Sequence, residues 1–288
     1  MRYDIEEYLQ FNQQYWANKK TAYQYRLWLE RFSQFVKKPL SELTLDDIQR
    51  YRKVIRERFK PKTIEYFDNI IKTFLNFNES KIAFSPRKLR VRGARADSYP
   101  AISEDEYYQL LRCAPLNYFP DVQRSLIIRI LWATGIRVGE LVSMNLEDLT
   151  DDYWGATIRT EKKQENRMVY WFNHPELRDL LVNKYLPIRN EIVRPSNALF
   201  LGLYADGEFS DRITSRSIQR GIKALCKRAG ISKNISPHSF RHAFIVRALM
   251  IGKPDELIRQ MVGHSTTLTI KHYAQLNGRE VAEMWKFE

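Results

Sequence analysis

From residue 19 to residue 77, large apolar side chains return every three or four positions. In KKTAYQYRLWLERFSQFV (19–36) the repeat is carried by Tyr25, Leu29, Phe32 and Phe35. In KTIEYFDNIIKTFLNF (62–77) it is carried by Ile64, Phe67, Ile71 and Phe74. Residues at that spacing fall on one face of a helix, and such a face must be buried against another element. Between the two stretches, TLDDIQRYRKVIRERF follows Leu43. Thr44 is placed to cap this helix, and Asp46 and Asp47 sit in its first turn, where the helix dipole favours carboxylates. Breaks at Lys38–Pro39 and Lys60–Pro61 separate the three helices, because proline disfavours helical backbone at the residue before it. The pattern predicts a small helical bundle over residues 1–84.

The periodicity stops at SPRKLRVRGARADSYP (85–100), which is basic and bounded by prolines. Residues 85–101 are expected to be a linker, suited either to lie along phosphates or to serve as a solvated tether. A second domain is expected over 102–288. It opens at Ser103, where SEDE has the form of a capping box with Glu106. Helical patterns run through 120–146 and resume from about residue 176. Two strands are expected at 154–160 and 167–172, around the polar turn EKKQEN. The fold class is therefore mainly α with one small β-sheet, as an N-terminal helical bundle plus a larger C-terminal domain.

Charge indicates the kind of partner. The chain of 288 residues carries a formal net charge of +13. Residues 1–95 hold 21 Lys and Arg against 11 Asp and Glu, and the remainder holds 26 against 23. A positive excess concentrated in the N-terminal third suits a polyanion, with DNA or RNA the leading candidates. The two cysteines, Cys113 and Cys226, are in no metal or redox spacing. They fit a reducing cytoplasm and argue against a disulfide framework. No run long enough to span a membrane is present, and the start MRYDIEEYLQ lacks the apolar core of a signal peptide.

Several chemistries are set aside by missing motifs. There is no phosphate-binding GxxxxGK[ST] loop, no HExxH and no spaced Cys/His cluster, so no cofactor or metal is expected. Glu147, Asp148, Asp151 and Asp152 could suggest a metal-dependent nuclease, but they fall at a predicted turn, where carboxylates are ordinarily solvated. What remains is a scattered set of cations with one tyrosine. In ATGIRVGEL, Arg137 precedes Glu140 by three residues, a spacing that lets the carboxylate orient the guanidinium. In SPHSFRHAF, His238 and Arg241 share one helical face. Lys162 and Lys163 sit at the hairpin tip. His264 lies nine residues before Tyr273.

Each feature has an ordinary reading as surface or packing, yet together they suit attack on a phosphodiester. Two arginines can offer paired donors to the non-bridging oxygens, where charge develops. A tyrosine has a reference pKa of about 10 and is a poor nucleophile unaided. Clustered cations and a nearby imidazole favour loss of its proton, and a lysine can return a proton to the leaving oxygen.

TGIRVGEL, HSFRH and GHSTTLTIKHY, in that order, resemble the three motifs of the tyrosine recombinase (phage-integrase, Xer-like) family. The resemblance covers about residues 100–288, and the N-terminal bundle resembles the family's core-binding domain by pattern. It implies that Arg137 and Arg241 clamp the scissile phosphate and that His238 and His264 contact it and assist proton transfer. Lys162 would protonate the leaving oxygen, and Tyr273 would attack to leave a 3′-phosphotyrosine and a free 5′ hydroxyl. It further implies a site-specific recombinase that acts on double-stranded DNA without metal or ATP, as a homotetramer on two DNA sites. The segment REVAEMWKF after Tyr273 would pass to a neighbouring subunit or pack in cis. This chain departs from the family at the hairpin, which usually reads Lys-Gly-x-Lys-x-Arg followed by an apolar-Pro-Leu strand. Here KKQENRMVYW lacks the glycine, and Tyr170-Trp171 replaces Pro-Leu. Counting back five from Arg167 selects Lys162, with Lys163 the alternative, and His272 is no motif position. Two other readings stand beside the first: a DNA-binding protein with this fold but no catalysis, and a nicking–closing topoisomerase of the related type.

Overall fold

The amphipathic stripes of the N-terminal third bury one another. The computed structural model describes residues 1–16, 19–89, 100–159, 166–192, 196–204 and 207–263. The chain divides into two compact units, Met1–Ser98 and Tyr99–Glu288. In the first, α1 (Arg2–Asn12), α2 (Lys19–Val36), α3 (Leu45–Arg58) and α4 (Pro61–Phe77) form a bundle in which α4 touches the other three. Leu29, Phe32, Ile48, Phe67, Ile70, Phe74 and Leu75 are all buried at its centre. Thr44 caps α3, with Asp47 completing the box by accepting from the Thr44 backbone at 3.0 Å. Pro61 begins α4, where a missing N–H costs nothing. One stripe position differs from expectation. Phe35 is 40 % exposed, and Val36 takes the inward place one residue later. A step of 100° per residue carries Phe35 to the edge of the stripe, where it leans on Tyr51 at 5.2 Å. A 3₁₀ turn, Pro86–Lys88, follows, and Leu89 is buried in the same core.

The second unit is built around α6. Helix α5 (Glu104–Arg112) opens with the expected box between Ser103 and Glu106. Helix α6 (Phe119–Thr134) is buried on nearly all sides and ends at Gly135. Short α7 (Val138–Ser143) leads to a hairpin of β1 (Gly155–Ile158) and β2 (Arg167–Tyr170), paired antiparallel with Ile158 opposite Arg167. The strands are shorter than the sequence suggested. Val169 and Trp171 point inward and are buried, whereas Met168, Tyr170 and Phe172 point outward. Trp171 donates its indole N–H to the Tyr153 carbonyl at 3.0 Å, so the Tyr-Trp pair keeps one large side chain in the core.

Helix α8 (Pro175–Asp179), a π-helical stretch (Leu180–Tyr185) and α9 (Leu186–Glu191) follow. A minor ribbon, β3 (Gly202–Leu203) with β4 (Phe209–Ser210), precedes α10 (Ser215–Arg228). Helix α11 (Pro237–Met250) packs on α6, and α12 (Asp255–Val262) packs on α11 and β2. No helix among the described residues is long and apolar enough to cross a membrane.

Candidate active site

Four helix ends set the geometry. Helix α6 ends on Gly135, whose φ of +61° is a left-handed conformation that glycine adopts without strain. A Cβ there would come within 2.7 Å of Phe244 on α11. The chain then turns, and Arg137 becomes the N-cap of α7, in extended backbone. Arg137 and Glu140 are therefore paired by a cap and not by a shared helical face. Glu140 accepts the Arg137 backbone N–H at 2.8 Å and its guanidinium Nη1 at 2.9 Å.

Helix α11 begins on the capping residue Ser236 and Pro237, which puts His238 and Arg241 in its first turns. Arg241 is only 1 % exposed, and its Nη1 donates to the Gly135 carbonyl at 2.8 Å. The carbonyl at the end of α6 thus partners a cation that would be costly to bury alone. His238 titrates below the ordinary histidine value. Desolvation is the first cause, followed by the charges of Arg241 and Arg137 and by His242. The residue keeps an exposed face. Both arginines therefore act on one imidazole, although Arg137 comes from a distant stretch of chain.

The end of α12 closes the arrangement. Gly263, with φ of +65°, terminates the helix. Arg137 donates Nη2 to the Gly263 carbonyl at 2.9 Å, and Arg167 donates Nε to the Met261 carbonyl at 3.0 Å. Arginines are well suited to the carbonyls that a helix C-terminus leaves unpaired. Arg167 also holds Glu140 by donating Nη1 and Nη2 to its two oxygens, at 3.2 and 2.8 Å. Burial would raise the Glu140 pKa, but hydrogen bonds from Arg167 and the Arg137 backbone, with both charges, hold it below the usual value. Arg137 itself remains 44 % exposed.

Of the residues singled out from sequence, Arg137, His238 and Arg241 are brought together. Lys162, Lys163, His264, His272, Tyr273 and the segment after Tyr273 lie outside the described residues. The acidic group is used as turn architecture. Asp148 is buried, contrary to the expectation of solvated carboxylates, and accepts from the Asn145 backbone and from Arg159 at 2.8 Å each. Asp152 accepts from the Trp154 backbone at 3.0 Å. Among the described residues, no group of three His, Cys, Asp or Glu is placed to hold a metal ion.

Sequence reasoning missed Arg247, Gly135 and Gly263. Arg247 lies 3.5 Å over the Trp132 ring and donates to the Trp132 carbonyl at 2.6 Å, tying α11 to α6. Burial lowers its pKa to about 10. The glycines carried a signal, since each directly follows a helical pattern.

Comparison with known proteins bears on the family and the fold. Relatives at full length include the tyrosine recombinase XerD of Staphylococcus haemolyticus, 25 % identical over 98 % of this chain and 96 % of that protein. A XerC from Thermodesulfovibrio yellowstonii is 27 % identical over 64 % of this chain and 60 % of its own. Among solved structures, the XerA recombinase is 26 % identical with a TM-score of 0.56, covering 98 % of this chain and 95 % of that one. A lambda integrase dimer bound to its core site shares the fold, with a TM-score of 0.76 at 14 % identity over 97 % and 96 % of the two chains. The family model described as the phage integrase family matches residues 100–280, more than half of the sequence, and the chain belongs to that family, the tyrosine site-specific recombinases.

Proposed function

We propose that this recombinase cuts and rejoins double-stranded DNA at a specific site, with Arg137 and Arg241 clamping the scissile phosphate and Tyr273 as nucleophile. The observation that carries the reading is the meeting of Arg137, Arg241 and His238 at the ends of α6, α7, α11 and α12. The Tyr273 phenolic oxygen attacks phosphorus and the bond from phosphorus to the 5′ oxygen breaks. The phenolic proton passes to the His238 and His264 pair, and Lys162 returns a proton to the leaving oxygen. The two guanidiniums stabilise the charge that builds on the non-bridging oxygens. The reverse attack by a 5′ hydroxyl reseals the strand, and because the phosphotyrosine conserves the bond, no ATP is consumed.

Solved relatives support the choice of partner: a XerH site-specific recombinase is bound to its difH substrate, and a lambda integrase tetramer to a Holliday junction. The positive excess of residues 1–95 suits the N-terminal unit to phosphate contacts. We read residues 1–84 as that DNA-binding domain, 85–101 as the linker and 102–288 as the catalytic domain. The working state is a homotetramer on two sites, in the cytoplasm.

A nicked suicide DNA substrate tests the reading. The wild-type chain is expected to give a covalent protein–DNA adduct and Tyr273→Phe none. Binding without adduct on the correct site would leave a DNA-binding protein of this fold, and site-independent relaxation of any supercoiled plasmid would mark a topoisomerase. Adduct formation is expected to survive EDTA, and loss restored by magnesium would return the acidic group to consideration.

A further inference from the structure

We propose that Arg167 is a positioning residue for cleavage: from the start of β2 it fixes Glu140, and through it the Arg137 guanidinium, against the end of α12. The proposal rests on the catalytic reading of Arg137 given above.

The contacts form a closed circuit. Arg167 binds both oxygens of Glu140, at 3.2 and 2.8 Å. Glu140 accepts the side chain and the backbone N–H of Arg137. Arg137 donates to the Gly263 carbonyl, and Arg167 closes the loop by donating Nε to the Met261 carbonyl. One side chain therefore joins the strand that follows the hairpin lysines, the helix that Arg137 caps and the helix end that precedes His264. Arg167 is 14 % exposed, so these bonds are little weakened by water. The fit is tight as well. A Cβ on Gly263 would lie 2.7 Å from Arg167 Nη1 and 2.8 Å from Cζ. Gly263 thus answers two needs, a left-handed helix end and room for this guanidinium.

The shape of the group matters beyond its charge. Serving both oxygens of one carboxylate while turning Nε to a carbonyl requires a planar fork, which a lysine ammonium lacks. Arg167 is also the foremost of the groups that lower the Glu140 pKa against its burial. Without it the carboxylate loses its main support, and the exposed Arg137 guanidinium loses a fixed anchor on one side.

Single-turnover cleavage of the nicked DNA substrate by the full chain, with DNA affinity measured in parallel, tests this. Misplacing a reacting group by about 1 Å costs on the order of 100-fold, so Arg167→Ala is expected to slow cleavage by that factor with affinity little changed. Arg167→Lys is expected to fall between the two, and added guanidinium ion to restore part of the rate of Arg167→Ala. In a double-mutant cycle, Arg167→Ala is expected to cost far less in a Glu140→Gln background, because the two act through one path. Wild-type cleavage by Arg167→Ala would overturn the proposal. So would full additivity with Glu140→Gln, or a loss that follows the folded fraction and ignores guanidinium. These outcomes differ from failure of the recombinase reading itself, in which the wild-type chain gives no adduct.

Discussion

The two units bury different charges: the bundle buries the carboxylates Asp47 and Asp68, and the C-terminal unit buries the guanidiniums Arg189 and Arg241 beside Asp148. In the N-terminal unit the buried carboxylates meet side-chain cations near the surface: Asp47 accepts from Lys38 at 3.0 Å, and Asp68 from Arg52 at 2.7 Å. In the catalytic unit the buried cations meet backbone. Arg241 bonds Gly135 and Arg189 bonds Ala198 at 2.8 Å, and the half-buried Arg247 bonds Trp132. A carbonyl at a helix end can satisfy a guanidinium without neutralising it. A backbone carbonyl leaves the formal charge of Arg241 and Arg189 in place, whereas Asp47 and Asp68 are each met by an opposite charge.

The largest expected effects lie in the catalytic unit and separate its two arginines. Removing one preorganised donor to developing charge costs about 10²–10³ in rate. Arg137→Ala and Arg241→Ala are both expected to lose cleavage by at least that factor, read as adduct formation on the nicked substrate. Their stabilities are expected to differ. Arg137 is 44 % exposed, and its loss should leave the melting temperature nearly unchanged. Arg241 is buried, and its loss strands the Gly135 carbonyl at a cost of about 1–3 kcal/mol, read in a denaturant titration. Equal stability of the two variants would break the contrast drawn above.

How much of this could be read from sequence follows the same division. The bundle was legible because its information is periodic: Leu29, Phe32, Phe67 and Phe74 sit inside where the spacing places them. The Thr44 cap and the Ser103–Glu106 box were legible because they are local, each joining residues three apart. The candidate site residues Arg137, His238 and Arg241 could be picked out as residue types in order, and not as geometry. Nothing in HSFRH says that Arg241 is buried, because its partner is a backbone carbonyl far away in sequence. Arg167 served only to count back to Lys162, because its partners Glu140 and Met261 come from two other elements. Phe35 strayed because four apolar residues at helical spacing describe a stripe wider than the face that packs.

Core truncation in the bundle should be the next largest effect and of a different kind. Phe74 is buried and touches the Tyr8 ring at 5.5 Å. Phe74→Ala is expected to cost about 3–5 kcal/mol of unfolding free energy. The expected signature is a loss of DNA affinity as that unit unfolds. A variant that binds as tightly as wild type and fails only in cleavage would sharpen the comparison against the present assignment of binding to this unit. Arg247→Met is expected to be milder. It keeps much of the volume over Trp132 while losing the cation–π contact and the hydrogen bond, a loss of about 1–3 kcal/mol.

The smallest effect is a pH dependence that Asp47 carries in the bundle. Burial would raise the Asp47 pKa, but bonds from Thr44 and Lys38 outweigh it and bring it down to about 2. The folded value lies below the ordinary aspartate value of about 3.9, so the folded state favours the ionised form. Its contribution is therefore complete above about pH 4 and is lost as pH falls toward 2. Asp47→Asn is expected to lower stability at neutral pH and to flatten the acid side of the stability curve in that window. A wild-type curve that is flat between pH 4 and 2, or one that Asp47→Asn does not alter, would show that the bundle's buried carboxylate is not held by its neighbours in the way its contacts imply.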